Sequence, residues 1–125
     1  GLWAYEVVEL FVASAAPSTS RPYLELEFGP LGHYLVLCLE GVRQVRTSGL
    51  SLDVHWQREE GRWMARTCVP NDYLPPAPWC MNAYAIHGVG TQRRYLAWAP
   101  VPGVKPDFHQ PTYFRSVELP LAVDD

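Results

Sequence analysis

The stretch Tyr23-Leu24-Glu25-Leu26-Glu27-Phe28 carries the clearest structural pattern in this chain. Its two leucines and Phe28 share one face of an extended strand, while the tyrosine and both glutamates share the other. This period of two predicts a β-strand whose apolar face lies in the core, and we expect Glu25 to be solvated. A turn at Gly29-Pro30-Leu31-Gly32 follows, and the apolar run at 33–40 predicts a central strand beside it.

Short runs of the same kind recur along the chain between Gly and Pro residues, without a long helical period. They lie at 5–13, 51–56, 62–69, 82–87, 94–98 and 116–119. We therefore predict one domain over residues 1–125, an all-β, jelly-roll-like antiparallel β-sandwich with negligible helix. The predicted core contains Val8, Leu10, Leu24, Leu26, Phe28, Leu35, Leu37, Trp63, Ala65, Tyr84, Ile86 and Trp98.

Composition restricts the class of protein. Hydrophobic residues make up 48% of the 125 residues and charged residues 18%, which favours a compact globule. The net charge is −3 and the arginines are scattered, so we expect no nucleic-acid partner. No apolar run reaches membrane-spanning length, so no membrane partner is expected. Three cysteines without metal-site spacing and the lack of a signal-peptide pattern favour an intracellular location, although a Cys68–Cys80 bridge stays open.

Two stretches near the ends of the chain are typical of one family. The first is Leu2-Trp3-Ala4-Tyr5-Glu6-Val7-Val8-Glu9-Leu10-Phe11, and the second runs from Tyr95-Leu96-Ala97-Trp98-Ala99-Pro100 to 105–114. Between them, the segments at 23–32, 61–70 and 82–84 follow in the same order. Together they resemble family-nine carbohydrate-binding modules, a DOMON-like group of β-sandwiches, and are closest to its eukaryotic single-domain members. The resemblance implies a binding module whose relatives usually carry strands before the first strand found here.

The resemblance also implies a site. In the sugar-binding members, two aromatic rings clamp a terminal sugar and nearby polar side chains bind its hydroxyl groups. The aromatic positions fall on Trp3 and Phe108, and the polar positions fall on Glu9, Glu25 and Lys105. Phe108 and Lys105 replace the Trp and Asn of the sugar binders. Aromatic rings suit the C–H faces of sugars, and carboxylates suit their hydroxyls.

The residues themselves leave other roles open. Trp3 could cap the end of the sandwich, and Phe108 could fill the edge of the core. Glu9 lies on an apolar strand face, where a carboxylate must be hydrogen-bonded or paired. Arg94 or Lys105 could pair with it in a structural ion pair.

No catalytic motif is present, since G-x-S-x-G, H-E-x-x-H, G-x-G-x-x-G and the P-loop pattern are all missing from the sequence. We therefore predict a protein that is not an enzyme. We predict no cofactor, because the candidate calcium ligands Asp53, Asp72 and Asp107 form no recognisable loop. Two functions follow: a module that recognises a sugar or glycan end, or an accessory subunit that docks proteins. An uncovered strand edge would require a protein partner or a further chain segment.

Overall fold

The structure is a computed structural model that describes residues 6–16, 21–102 and 107–119. These residues contain nine β-strands: β1 Val7–Ser14, β2 Tyr23–Phe28, β3 Tyr34–Gly41, β4 Gln44–Ser48, β5 Val54–Glu59, β6 Arg62–Thr67, β7 Trp79–His87, β8 Arg94–Ala97 and β9 Arg115–Val117. Three short 3-10 turns lie at Asn71–Tyr73, Gly90–Gln92 and Pro111–Tyr113. No described helix is long and apolar enough to cross a membrane.

Seven of these strands form one antiparallel sheet in the order β4-β3-β2-β1-β7-β8, with β9 also paired to β7. Strands β5 and β6 form a separate antiparallel hairpin. The predicted antiparallel β-sandwich is confirmed. Because β1 pairs with β2 on one side and with β7 on the other, its side chains lie at the centre of the main sheet.

The two faces of the main sheet differ sharply in chemistry, because side chains alternate along each strand. The aliphatic face carries a buried cluster made of Val12, Leu24, Leu26, Phe28 and Val36. The acidic face carries Val7, Glu9 and Phe11 from β1, together with Tyr23, Glu25 and Glu27 from β2. All six residues of β2 are buried, so both faces of this strand are covered.

The hairpin of β5 and β6 covers the aliphatic face. Trp63 and Ala65 pack against its buried cluster, and the indole N–H of Trp56 donates to the Gly29 carbonyl over 3.0 Å. The hairpin turn contains Gly61 at φ 75°, a left-handed conformation that glycine adopts without a steric penalty. This hairpin is the second layer of the sandwich.

A segment near the C-terminus covers part of the acidic face. Phe108 packs in a cluster with Phe11 and Tyr84, and Phe114 lies against the same cluster. Asn82, which is fully buried, donates to the Ala99 carbonyl over 2.8 Å and accepts from the Ala99 N–H over 2.7 Å. Because these bonds satisfy a buried amide, they fix the chain that leaves β8.

The predicted core is correct at its centre and wrong at Trp98. Leu24, Leu26, Phe28, Tyr84 and Ile86 are buried, as expected. The remaining positions are partly exposed: Val8, Leu10, Leu35, Leu37, Trp63 and Ala65. The side chain of Trp98 is exposed, since it follows the last residue of β8 and belongs to neither buried cluster. The guanidinium of Arg115 lies 5.0 Å from its ring.

Candidate glutamate pocket

Three glutamates meet on the acidic face because of the strand register. Glu9 on β1 is directly opposite Glu27 on β2, and Phe11 is opposite Glu25. All three are buried: Glu9 is 7% exposed, Glu25 is 4% exposed and Glu27 is 3% exposed. The expectation that Glu25 is solvated is therefore wrong. The alternation assigns it to the correct face, but the segment after residue 106 covers part of that face and the leucines of the neighbouring strand β3 flank it.

These glutamates line an open pocket of about 540 Å³, here called the glutamate pocket. Its other lining residues are Leu35, Leu37, Leu39, Arg43, Val45, Ile86, Arg93, Tyr95, Asp107, Phe108 and His109. The aliphatic side chains come from β3, β4 and β7, and Tyr95 comes from β8. Arg43, Arg93 and residues 107–109 come from turns and loops. Carboxyl groups thus lie beside hydrocarbon, where electrostatic interactions are stronger than in water.

The loop at Asp107–His109 is held over the pocket by hydrogen bonds to the sheet. The Tyr84 hydroxyl donates to the Phe108 carbonyl over 3.0 Å and accepts from the Asn82 side-chain N–H over 2.9 Å. The ring of Phe108 stacks on that of Tyr84, with centroids 3.8 Å apart and an angle of 19°. Phe108 is 8% exposed, so its ring fills the edge of the core while it borders the pocket.

A chain of polar contacts leads from the turn after β3 to Glu25. Arg43 adopts φ 56°, and its backbone N–H donates to the Tyr23 hydroxyl over 3.0 Å. Because that oxygen already accepts a hydrogen bond, we assign the hydroxyl as the donor to His109 Nδ1, 2.7 Å away. The neutral imidazole then carries its proton on Nε2, which lies 3.3 Å from Glu25 Oε1.

The carboxyl groups retain protons at neutral pH. Burial, followed by the charge and hydrogen bond of Glu27, raises the pKa of Glu9 to about 8. Burial, followed by the hydrogen bond and charge of Glu27, raises the pKa of Glu25 to about 9. Glu9 and Glu25 therefore keep their protons near neutral pH, and both lie against Glu27.

Two acceptor atoms in this cluster lack a hydrogen bond. Oε1 of Glu25 and Oε1 of Glu27 are buried and accept no hydrogen bond from any described residue. Glu25 Oε1 has His109 within ion-pair distance, but the contact lacks hydrogen-bond geometry. An unsatisfied buried acceptor costs about 1–3 kcal/mol. Both residues line the pocket, although these two oxygen atoms are themselves shielded from solvent.

Of the three described basic side chains that line the pocket, Arg43 and His109 do not neutralise the cluster. The Arg43 guanidinium pairs with Asp107, and this hydrogen bond lowers the pKa of the Asp107 carboxyl. Burial, and then the charge of Arg43, lowers the pKa of His109, which keeps its imidazole neutral at pH 7. Arg93 borders the pocket with its guanidinium 5.4 Å from the Tyr95 ring centroid.

Three of the five predicted site residues meet at this pocket: Glu9, Glu25 and Phe108. Trp3 and Lys105 lie outside the described residues. Of the two ion-pair partners expected for Glu9, Lys105 is therefore not described, and Arg94 lies exposed at the start of β8, outside the pocket. Glu9 hydrogen-bonds to Glu27 instead.

Sequence reasoning missed Glu27, Tyr23, Arg43 and His109. The signal for Glu27 was present, since it shares a strand face with Glu25, but only the pairing of β1 with β2 shows that it opposes Glu9. No described group of three or more His, Cys, Asp or Glu side chains could hold a metal ion. All three cysteines, Cys38, Cys68 and Cys80, have free thiols, so the Cys68–Cys80 bridge is not formed.

The chain is similar to several longer proteins. It is 41% identical over 121 residues to UPF0462 protein C4orf33 of Homo sapiens, which covers 92% of this chain and 59% of that relative. The Mus musculus homolog is 41% identical over 120 residues, or 91% of this chain and 61% of the relative. The Danio rerio homolog is 38% identical over 125 residues, which is 95% of this chain and 62% of the relative.

The chain thus spans about three fifths of the length of the curated relatives it matches. No protein-family model matches it, and no solved structure does so. The names of these relatives state no activity, so functional inference rests on the glutamate pocket.

Proposed function

We propose that this chain is a non-catalytic module that binds a small hydroxyl-bearing ligand, such as the end of a sugar chain, in the glutamate pocket. The observation that carries the proposal is a pair of buried acceptors, Glu25 Oε1 and Glu27 Oε1, that have no hydrogen bonds from described residues. They belong to residues that line an open pocket of about 540 Å³, so a small turn of either side chain brings its acceptor to the pocket. A ligand hydroxyl would donate to such an atom and remove the cost of leaving it unsatisfied.

The rest of the pocket suits a ligand with both polar and apolar faces. Tyr95 is 45% exposed at the pocket edge, so its ring is open to the C–H face of a sugar. Phe108 supports that edge, with its ring centroid 6.5 Å from that of Tyr95. In this arrangement Tyr95 takes the stacking role that the family resemblance assigns to Phe108.

A binding role fits the lining better than catalysis does. The described residues that line the pocket include no Ser, Thr, Cys or Lys nucleophile. The glutamates hydrogen-bond to one another through Glu27, whereas the two carboxyls of a glycosidase stand about 5 Å or more apart with the sugar between them. The proposal therefore assigns the carboxyls to ligand recognition.

The test is calorimetric titration with a panel of neutral mono- and oligosaccharides, alongside NMR shift mapping. We expect a saccharide to bind and to shift the NMR resonances of Leu37 and Tyr95. We expect Tyr95→Ala to weaken this binding by about tenfold. Tyr113→Ala is the matched control, because Tyr113 is similarly exposed and lies outside the pocket. Failure of every saccharide to bind would overturn the proposal, as would hydrolysis of a bound saccharide.

A second function, docking of a protein segment, is favoured by a separate apolar groove between the two layers. This groove of about 540 Å³ is lined by Val8, Leu10, Leu26, Phe28, Trp63, Ala65, Arg66, Thr67 and Val69. Among the described residues β6 pairs only with β5, so its other backbone edge is open to an extended segment. A protein partner would bury this apolar surface.

Dye binding tests the docking function in the isolated chain. We expect the groove to bind an apolar fluorescent dye, and Ala65→Lys to reduce that binding because it places a charge in the groove. Met64→Lys is the control, since Met64 is exposed on the same strand but outside the groove. A parent chain that is monomeric, unfolds cooperatively and binds no dye would contradict the docking function.

A further inference from the structure

The glutamate pocket combines three buried carboxyls with two acceptor atoms that lack hydrogen bonds from described residues. Its three carboxyls come from two adjacent strands and are each more than nine-tenths buried. The charge of Glu27 is one of the causes that raise the pKa of Glu9 and of Glu25. Of the basic groups that line the pocket, Arg43 pairs with Asp107 and His109 is neutral at pH 7. An ionised group in hydrocarbon surroundings is costly unless an opposite charge accompanies it.

We propose that the ligand of the glutamate pocket carries one primary ammonium group beside its hydroxyls, as an amino sugar does, and that this ammonium binds among Glu9, Glu25 and Glu27. The inference rests on the proposed function and specifies its ligand class. An ammonium has three N–H donors, so it can supply one to each carboxyl, including the unsatisfied Glu25 Oε1 and Glu27 Oε1. Hydrogen bonds between charged partners are roughly twice as strong as neutral ones.

Arg93 opposes a second positive charge on the ligand. It lines the same pocket, so a second ammonium on an extended ligand would meet its positive charge. Arg43 adds little to this repulsion, because it pairs with Asp107. The side chains of Leu35, Leu37 and Leu39 exclude water beside the carboxyls, which strengthens the attraction for the single ammonium at the base. We therefore expect linear diamines and polyamines to bind more weakly than an amino sugar.

Binding of an ammonium should release a proton from the carboxyl cluster to solvent, because the new positive charge favours ionised carboxyls. The affinity for an ammonium ligand should thus rise with pH, while the affinity for a neutral sugar should not. The charged and titratable groups that face the cluster are Tyr23, Arg43, Tyr84, Arg93, Tyr95, Asp107 and His109. His109 is already neutral above its lowered pKa, so the carboxyls are the groups that titrate at neutral to mildly alkaline pH.

The experiment compares methyl glucoside with its 6-amino-6-deoxy counterpart by calorimetry at about pH 6.5 and about pH 8. We expect the amino compound to bind at least about tenfold more tightly at the higher pH, with a smaller advantage at the lower pH. Repeating the titration in two buffers of different ionisation enthalpy should show proton release. NMR shifts at Leu35 and Leu37 should locate the ligand in the parent protein.

Two matched variants distinguish a specific contact of the ammonium with Glu27 from attraction to the overall negative charge of the protein. Glu27→Gln should abolish the advantage of the amino compound, whereas Glu40→Gln should retain it, since Glu40 is exposed on β3. If Glu27→Gln does not fold, the parent protein alone tests the inference. Proton release on binding of the amino compound and NMR shifts at Leu35 and Leu37 would support it, and the absence of both would overturn it. Equal binding of both glucosides would overturn the ammonium inference and leave the proposed function standing. Binding of neither glucoside, nor of any other saccharide, would overturn both.

Discussion

Stability should fall as the pH rises from mildly acidic to mildly alkaline, which is opposite to the effect of carboxylates held in ion pairs. The carboxyls of Glu9 and Glu25 have pKa values of about 8 and about 9, raised from 4.5 by burial and by Glu27. In the unfolded chain the same groups ionise near their ordinary pKa. The folded state therefore binds more protons between these values, and its stabilisation is lost as the pH rises through that range.

The size of the effect follows from the proton difference. One carboxyl that is protonated when folded and ionised when unfolded lowers the free energy of unfolding by about 1.4 kcal/mol per pH unit. From about pH 6.5 to about pH 8 this amounts to about 2 kcal/mol for one carboxyl and about 4 kcal/mol for both. The lowered pKa of His109 has the reverse effect, because stability is then lost as the pH falls below 6.5. The chosen window avoids it.

Urea unfolding across this window measures the effect. Glu25→Gln should flatten the slope by about 1.4 kcal/mol per pH unit, because the amide cannot titrate. Glu40→Gln should leave the slope unchanged, because this residue is exposed. A stability that stays level or rises with pH in the parent would refute the protonated carboxyl cluster. A slope that Glu25→Gln does not change would exclude Glu25 from it.

Three further predictions concern single side chains. Asn82→Ala should lower the free energy of unfolding by about 2–4 kcal/mol in urea, because it leaves buried partners unsatisfied; full stability would contradict that role. Tyr23→Phe should cost about 1–2 kcal/mol and shift the imidazole NMR signals of His109, and unchanged signals would disprove the polar chain. Cys68 should react with maleimide well before Cys80, whose pKa burial raises, as mass spectrometry of partly labelled protein can show; equal rates would contradict the burial of Cys80.

The sequence pattern could predict the strands but not what covers them. The alternation at Tyr23–Phe28 places the glutamates on one face and the leucines on the other, as observed. It carries no information on whether a distant segment, such as 107–114, covers the acidic face. In many antiparallel sheets the polar face of a strand is exposed to solvent, and the prediction that Glu25 is solvated was based on this usual arrangement.

The missed strand and the misplaced tryptophan have related causes. Gln44–Ser48 forms β4 at the edge of the sheet, where mainly polar residues are tolerated, and no apolar alternation marks it. Trp98 continues the alternation of β8 in sequence, but it comes after the last residue of that strand. The alternation of side chains along a strand cannot show where the part of the protein that buries its apolar face ends. Glu9 was predictable as a buried group because its neighbours on the same strand face are apolar, whereas its contact with Glu27 needed the strand register.

The contrast between the two faces of β2 has a consequence for folding. A shift of this strand by one residue against β1 would exchange its faces. Glu25 and Glu27 would then enter the layer occupied by Trp63, while the leucines would fill the glutamate pocket. Both halves of that exchange are unfavourable, because one buries carboxyls in hydrocarbon and the other removes the partner of Glu9. The glutamates that line the pocket thus also penalise misaligned pairing, so that the proposed ligand recognition and the correct strand alignment depend on the same side chains.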